Sequence, residues 1–473
     1  MIKRKKLLKV ITPIVPVLAV IAFLLIFFSS SHSRYDPSDE NPGYINEPEQ
    51  ASPGNTPPED PEEPETADHL QEPEQPDEQD EQDEQDEQDE PDEPDEPDEP
   101  VPPPEEEIFN IREFDQRSAE LLDTVAAKYK CVAVSLVVYD GEVRDCYTYE
   151  YGYRNSANRR PVDQDTKFRV ASLSKLVAVI STMSLVEKGS LDLDKDISDY
   201  LGYQVRNPQF PDTIITTRML IQHTSSLYDS SQYLNAGNRN MPSTAKRLLD
   251  TGVCYEAWEP GTQFEYSNFG YSVLGLVCEK ASGKRFNTIA NDAIFGPLEI
   301  DAAFLPSALI EKTNIAAIYD SDHNQRRSVN TQLSTGDSSS AGSDYNLIPG
   351  NLTISILDYT KILTMLAGGG ILDDVRILSE SSVKEIHDLN SETEWYIQGL
   401  STRYQNNDEL PLAGSFWHTG SAFGVFAQFN YYMSEGVNRG VVVITTGAST
   451  GRLENGMVEV CTEFSEIALQ ILY

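Results

Sequence analysis

Cysteine, histidine and, over one long stretch, positive charge are what this sequence has little of. Among its 473 residues there are five cysteines and six histidines, and residues 36–107 contain no lysine or arginine. Each shortage excludes something. Five cysteines (Cys131, Cys146, Cys254, Cys278 and Cys461) are too few for a disulfide scaffold in a chain of this length. A two-residue hairpin at Asp140-Gly141 would set Ser135, not Cys131, opposite Cys146, so no bridge is assigned and buried free thiols are expected. The histidines show no paired ligand spacing, and no metal or other cofactor is expected. Residues 108–473 carry 45 acids against 30 bases, a balance that argues against nucleic acid as a partner.

What is present is unevenly placed. Residues 1–35 hold six Lys/Arg and no acid, whereas residues 36–107 hold 32 Asp/Glu, so most of the net charge of −41 belongs to one segment. Val10 to Phe28 carry no charge and are almost all apolar. Nineteen residues at helical rise span about 28 Å, close to the thickness of a bilayer core. Five basic residues precede the run and acid follows it, so the expectation is a single-pass membrane anchor with the remainder outside the cell. The competing reading is a cleaved signal peptide; the small residues Ser29 to Ser31 could be cut, but there is no clean Ala-x-Ala. From Asp77 to Pro100 the tripeptides Asp-Glu-Gln and then Asp-Glu-Pro repeat eight times. Such composition predicts an extended, self-repelling linker over 36–107. The folded part is then 108–473, long enough for a large core or two packed lobes.

Within it, apolar spacing predicts a helix over 112–129 (Phe114, Leu121, Leu122, Val125), then a strand from Val132 to Tyr139, the Asp140-Gly141 turn and a second strand to Tyr153. A helix is expected from Ser172 to Lys188, ending at Gly189, with further helices over 216–224, 269–281 and 356–367. Strands are expected at 423–432 and 440–446, followed by an amphipathic helix from about Leu453 to Leu472. Strands at both ends around a helical middle predict one antiparallel sheet built from the two ends of the chain.

Three short motifs could carry chemistry. Ser172-Leu173-Ser174-Lys175 places a hydroxyl at a helix start, where free N–H groups favour developing negative charge, with an amine one turn on. The apolar residues after Lys175 predict a desolvated lysine able to act as a base. Tyr266-Ser267-Asn268 supplies a phenol for proton transfer and an amide that could orient a substrate amide. His418-Thr419-Gly420, followed by Ser421, precedes a strand-like run; glycine there lets a ligand approach the backbone, and the N–H groups of Ser421 and Ser172 could form an oxyanion hole. Taken singly, each has a plain structural reading: an N-cap serine with a surface lysine, a capped turn, a structural histidine beside Trp417. Ser-x-x-Lys recurs at Ser243 and Ser381, and Tyr-x-Asn at Tyr44, Tyr153, Tyr233 and Tyr404.

The flanking sequence separates them from the duplicates. Phe168-Arg-Val-Ala-Ser-Leu-Ser-Lys175, Leu220-Ile-Gln-His-Thr-Ser-Ser-Leu227, Glu259-Pro-Gly-Thr-Gln-Phe-Glu-Tyr-Ser-Asn268, Leu363-Thr-Met-Leu-Ala-Gly-Gly-Gly370 and Trp417-His-Thr-Gly420 resemble blocks of the serine β-lactamase and penicillin-binding protein superfamily. The resemblance is to the class C β-lactamase-related group, which includes D-alanyl-D-alanine carboxypeptidases, and it covers about 110–473. It implies an α/β fold: an antiparallel sheet flanked by helices plus an all-helical lobe, with the site between. It implies Ser172 as acylated nucleophile, Lys175 and Tyr266 as base and acid, and Asn268, His418, Thr419, Gly420 and Ser421 as substrate-binding residues. The expected partner is a peptide or β-lactam-like small substrate. Two departures stand out. His418 occupies a position where β-lactamases of this group usually carry Lys, which points toward peptidase or esterase members. Ser226 replaces a usual glycine, which puts the local turn in question. The alternatives are an esterase or β-lactamase of the same fold, or a binding module without turnover.

Overall fold

Strand residues that alternate between two apolar faces organise the molecule. The computed structural model describes residues 109–473, apart from 143, 238, 240, 336–342, 390, 393–396, 435 and 436. The expected anchor at 10–28 and linker at 36–107 lie outside the described residues. Strand β1 (Asn110–Glu113), helix α1 (Gln116–Lys128), β2 (Ala133–Asp140) and β3 (Asp145–Asn155) open the fold. In β2, Val134, Leu136 and Val138 join one core cluster while Ala133, Val137 and Tyr139 join another, the period of two that a strand imposes. The central strand is therefore buried on both faces.

The first cluster lies between the sheet and two helices, α1 and the C-terminal α5 (Glu459–Leu472), through Leu122, Val125, Phe464 and Ala468. The second faces α2 (Ser174–Glu187), α3 (Asn268–Ser282) and α4 (Ile356–Ala367). The sheet order is β1-β3-β2-β9-β8-β7-β6, with β6 at Arg403–Tyr404, β7 at Phe416–Ala422, β8 at Val425–Ser434 and β9 at Val437–Thr446; Ile397–Gln398 and Ser391–Glu392 extend it beyond β6. The two ends of the chain meet where β9 pairs with β2. Among the described residues every neighbouring pair on this path is antiparallel except β1 on β3, which is parallel. A two-stranded ladder of β4 (Lys167–Arg169) with β5 (Thr353–Ser355) joins the helical region to this core.

Several expectations are corrected. Asp140 pairs with Asp145 and Tyr139 with Cys146, so the β2–β3 connection is a longer loop over 141–144 and not a two-residue turn. The Gly141 N–H is drawn instead to Asn438 O on the β9 side, at 2.7 Å. All five cysteines are buried free thiols. Leu121 is half exposed, leaving Leu122 and Val125 to bury α1. Helix α5 begins at Glu459, not near Leu453: Arg452 and Val458 form a bridge across an intervening turn. His418-Thr419-Gly420 lies inside β7 rather than before a strand.

Ser226 takes a left-handed backbone, the conformation that glycine adopts without strain. Its φ is +62°, and its buried hydroxyl accepts from Asn207 Nδ2 at 3.0 Å. The turn survives because a hydrogen bond offsets left-handed strain.

Candidate active site

The turn that carries Ser172 is pinned from three sides. After β4 the chain makes a 3-10 turn, Ala171–Leu173, with Ala171 at φ +48°, and then enters α2. Ser174 Oγ donates to Ala171 O at 2.6 Å and accepts from Leu352 N at 3.0 Å, while the Tyr359 hydroxyl donates to Leu173 O at 2.9 Å. Gly420 of β7 seals the fourth side. A Cβ there would lie 2.5 Å from Val170 O and 3.2 Å from Ser172 N, so only glycine permits this approach.

Lys175 is fully buried. Its Nζ lies 2.8 Å from Asn268 Oδ1, 2.8 Å from Pro349 O and 3.1 Å from Ser172 Oγ. The amide and carbonyl oxygens can only accept, so two N–H bonds are committed to them. The third position on the nitrogen points at Ser172 Oγ: an N–H in the ammonium, a lone pair in the amine. The rings of Tyr266 and Tyr271 lie 4.8 and 5.4 Å from Nζ. On the other side of Ser172 Oγ, the Tyr266 hydroxyl stands at 2.8 Å. One hydroxyl thus sits between an amine and a phenol that donates to it; the amine, or the phenol once it has given up its own proton, can take the serine's proton.

Tyr266 is held by His223. The two rings are 4.5 Å apart between centroids. His223 Nδ1 accepts the Ser267 N–H at 3.1 Å, which leaves the proton on Nε2. Burial, reinforced by the Lys175 and Arg403 charges, holds the His223 pKa well below the ordinary histidine range. Ser267 caps α3 through Gly270 N, and Asn268 is the first residue of that helix.

The strand edge follows from register. Ala422 pairs with Val425 across Phe423-Gly424, which have φ of +56° and +95°, the two positive values a tight hairpin needs. In such a hairpin the pairs 422/425, 420/427 and 418/429 exchange hydrogen bonds with β8, so the N–H groups of Thr419 and Ser421 turn the other way. The partner strand on that side, β6, pairs only with Phe416 and Trp417. The Ser421 amide therefore faces the β6 side of the sheet, beyond the last residue of β7 that β6 pairs with.

His418 is buried, at 4% exposure. Its Nδ1 donates to Thr419 O at 2.7 Å. Burial, with the Arg403 and Lys175 charges, pushes its pKa well below the usual range, so it presents a neutral ring. Both ends of the Asn268 carboxamide are engaged: Oδ1 accepts from Lys175, and Nδ2 donates to Asp229 Oδ2 at 2.7 Å. Thr419 Oγ1 lies 3.3 Å from Arg452 Nη1.

The structure gathers Ser172, Lys175, Tyr266, Asn268 and the 418–421 strand into one place. The duplicates go elsewhere: Lys246 pairs with Asp250 on its own helix, and Tyr233 is buried against Phe269. Asp229, His223 and Arg452 were not singled out from the sequence. His223 lies within a quoted block, and its positive φ of 59° is a tertiary fact. Asp229 and Arg452 meet the site only through long-range packing, for which no sequence signal exists.

A family model described as beta-lactamase matches residues 114–458. Penicillin-binding protein 4* of Bacillus subtilis (strain 168) is 29% identical over 182 residues, covering 37% of this chain and 38% of that protein. The D-alanyl-D-alanine-carboxypeptidase/endopeptidase AmpH of Escherichia coli (strain K12) is 30% identical over 178 residues, covering 37% of this chain and 46% of that protein. The matched stretch thus spans less than half the length of these relatives. A class C β-lactamase structure from Rhodobacter sphaeroides superposes with a TM-score of 0.58 at 17% identity, covering 76% of this chain and all of that one (100%), a likeness of fold.

Proposed function

The chain belongs to the β-lactamase family, and on that premise we propose that it is a serine hydrolase of the DD-peptidase type, acting through an acyl-enzyme on D-amino-acid peptides of the cell wall. One observation carries the reading: Ser172 Oγ lies 3.1 Å from Lys175 Nζ and 2.8 Å from the Tyr266 hydroxyl; we assign the Ser172 and Ser421 N–H groups as the two oxyanion donors. In the reaction, Oγ attacks the scissile carbonyl carbon and its proton passes to the Lys175–Tyr266 pair. The carbonyl oxygen becomes an oxyanion facing the two amides, each such donor being worth about 3–4 kcal/mol. The C–N bond then breaks as the amine takes a proton from the pair, and water repeats the sequence to release the acyl group.

One feature supports a peptide over a β-lactam, and a second supports a carboxylate-bearing substrate over a neutral ester. His418 is buried and neutral where the resembling β-lactamases carry a lysine. Arg452 brings a guanidinium to Thr419 Oγ1, positive charge suited to a substrate that ends in a carboxylate. The apolar run at 10–28 and the acidic segment after it support a membrane tether with the enzyme outside the cell. Among the described residues no helix is long and apolar enough to cross a membrane.

The test is labelling with a fluorescent penicillin together with D-Ala release from a D-Ala-D-Ala peptide. Wild type is expected to label and to release D-Ala, and Ser172→Ala to do neither. Equal labelling of the two, or no D-Ala release by wild type, sinks the reading; rapid nitrocefin turnover would make it a β-lactamase. Protease shaving of intact cells checks the location, with the folded domain expected to be cleaved from the outside.

A further inference from the structure

The carboxamide of Asn268 has two ends of nearly equal shape, and only one of them suits Lys175. With Oδ1 toward Nζ the lysine gains an acceptor; with Nδ2 toward it, donor would meet donor. Asp229 decides between them. A carboxylate only accepts, so Asp229 Oδ2, at 2.7 Å, draws Nδ2 to itself and leaves Oδ1 for the lysine, at 2.8 Å. Asp229 is itself fixed, since Oδ1 accepts the Phe269 N–H at 2.8 Å and faces Ser267 Oγ at 3.4 Å, both in the first turn of α3. That helix runs for 15 residues, and its positive end favours the carboxylate.

We propose that Asp229 is a positioning residue for catalysis: through Asn268 it orients Lys175 toward Ser172 and sets how firmly the lysine holds its proton. This rests on Lys175 acting in the acyl transfer described above. Asp229 does not touch Ser172; its effect passes along a chain of three groups, carboxylate to amide to amine. Its burial raises its own pKa against the hydrogen bonds from Phe269 and Asn268 and the pull of Lys175, which oppose that rise. Other titratable groups face this chain. Glu265, Tyr233 and Cys254 sense the Asp229 charge, while His223, His418, Tyr266 and Tyr271 lie around Lys175, and Arg403 acts on both histidines. None of these lies between Asn268 and the two groups it joins.

The prediction has a sign. Asp229→Asn keeps the acceptor for Phe269 N but places NH2 against NH2, so Asn268 must turn its donor end to Lys175. The negative charge is lost as well, and both changes loosen the lysine's proton. The exchange D229N/N268D restores complementarity and moves the charge next to Lys175, which tightens it. The full chain is titrated by NMR of the Lys175 Cε signal, a reading that needs no turnover and stands whatever the natural substrate. Relative to wild type, the midpoint is expected to fall in D229N and to rise in D229N/N268D. Acylation by p-nitrophenyl acetate, followed as burst amplitude and rate, is expected to slow by on the order of 10–100-fold in D229N, with its acid limb moved to lower pH. The double variant is expected to regain most of that loss, with its limb at higher pH. If the Lys175 midpoint is the same in all three proteins, Asp229 only caps α3 and the proposal is overturned, whatever happens to melting temperature. A D229N protein that acylates at the wild-type rate overturns it equally.

Discussion

At the scale of single residues, the site is organised by hydrogen bonds that fix the direction of each polar group. Lys175 spends two N–H bonds on Asn268 and Pro349 and keeps the third direction for Ser172. His418 shows the cost of breaking that economy. It is 4% exposed, and Arg403 and Lys175 both disfavour positive charge there. His418→Lys, which would restore the residue usual in the resembling β-lactamases, is expected to lower stability by about 3 kcal/mol in urea denaturation, because it buries a charge among like charges. A stability equal to wild type would mean that the lysine finds an acceptor or reaches solvent. Ser226 offers a finer comparison. Ser226→Ala keeps the strained φ and removes an acceptor from Asn207, so it is expected to cost about 1 kcal/mol. Ser226→Gly loses the same bond but relieves strain of roughly 1–2 kcal/mol, and Asn207 keeps Glu256 O and Trp258 O, so its stability is expected to match or exceed that of wild type.

At the scale of elements, the contact of β7 with the turn of Ser172 is the joint on which the site's geometry depends. Gly420→Ala drives a Cβ onto Val170 O, a backbone atom that cannot swing aside. Either β7 or the turn must shift by close to an ångström, and acylation is expected to fall on the order of 10²-fold while the melting temperature drops only modestly. Acylation at the wild-type rate would show that the Ser172 and Ser421 amides tolerate displacement. This joint was only half legible beforehand. The glycine and a close approach of ligand to it are legible in His418-Thr419-Gly420, but the local pattern puts the strand after the motif instead of through it. The β2–β3 turn was misread for a similar reason. Asp140-Gly141 is a strong local hairpin signal, yet a hydrogen bond from Gly141 to Asn438, nearly 300 positions away, displaces it. Local turn chemistry loses when a neighbouring strand offers the same N–H a partner.

At the scale of the whole molecule, buried titratable groups set how stability follows pH. His223 and His418 are held well below the ordinary value of 6.5, and His387 is pushed down to about 4. Each is neutral when folded and takes a proton readily when unfolded. The stability tied to them is whole above pH 6.5 and drains away as pH falls toward their depressed values. Glu150 and Glu265 act in the opposite sense: burial pushes both up to about 7 from 4.5, so the folded chain holds those protons more tightly. Their destabilising effect is full above pH 7 and gone by pH 4.5. Glu150→Gln is therefore expected to stabilise the protein by about 1–3 kcal/mol at pH 8 and by nothing measurable at pH 4.5. An equal gain at both pH values would assign the effect to packing instead of charge.

The sequence by itself determined the chemistry on offer and the elements that carry it. Alternation in Val134 to Tyr139 and Val441 to Ile444 fixes strands buried on two faces, and the blocks around Ser172, Tyr266 and His418 fix the family, because both depend on residues close together in the chain. Only the tertiary structure decided which atoms meet. That His418 is neutral, that Asn268 faces Asp229 as well as Lys175, and that Gly420 meets the turn of Ser172 all depend on contacts between segments tens to hundreds of residues apart. Burial and hydrogen-bond direction are properties of the packed chain, and no local pattern encodes them.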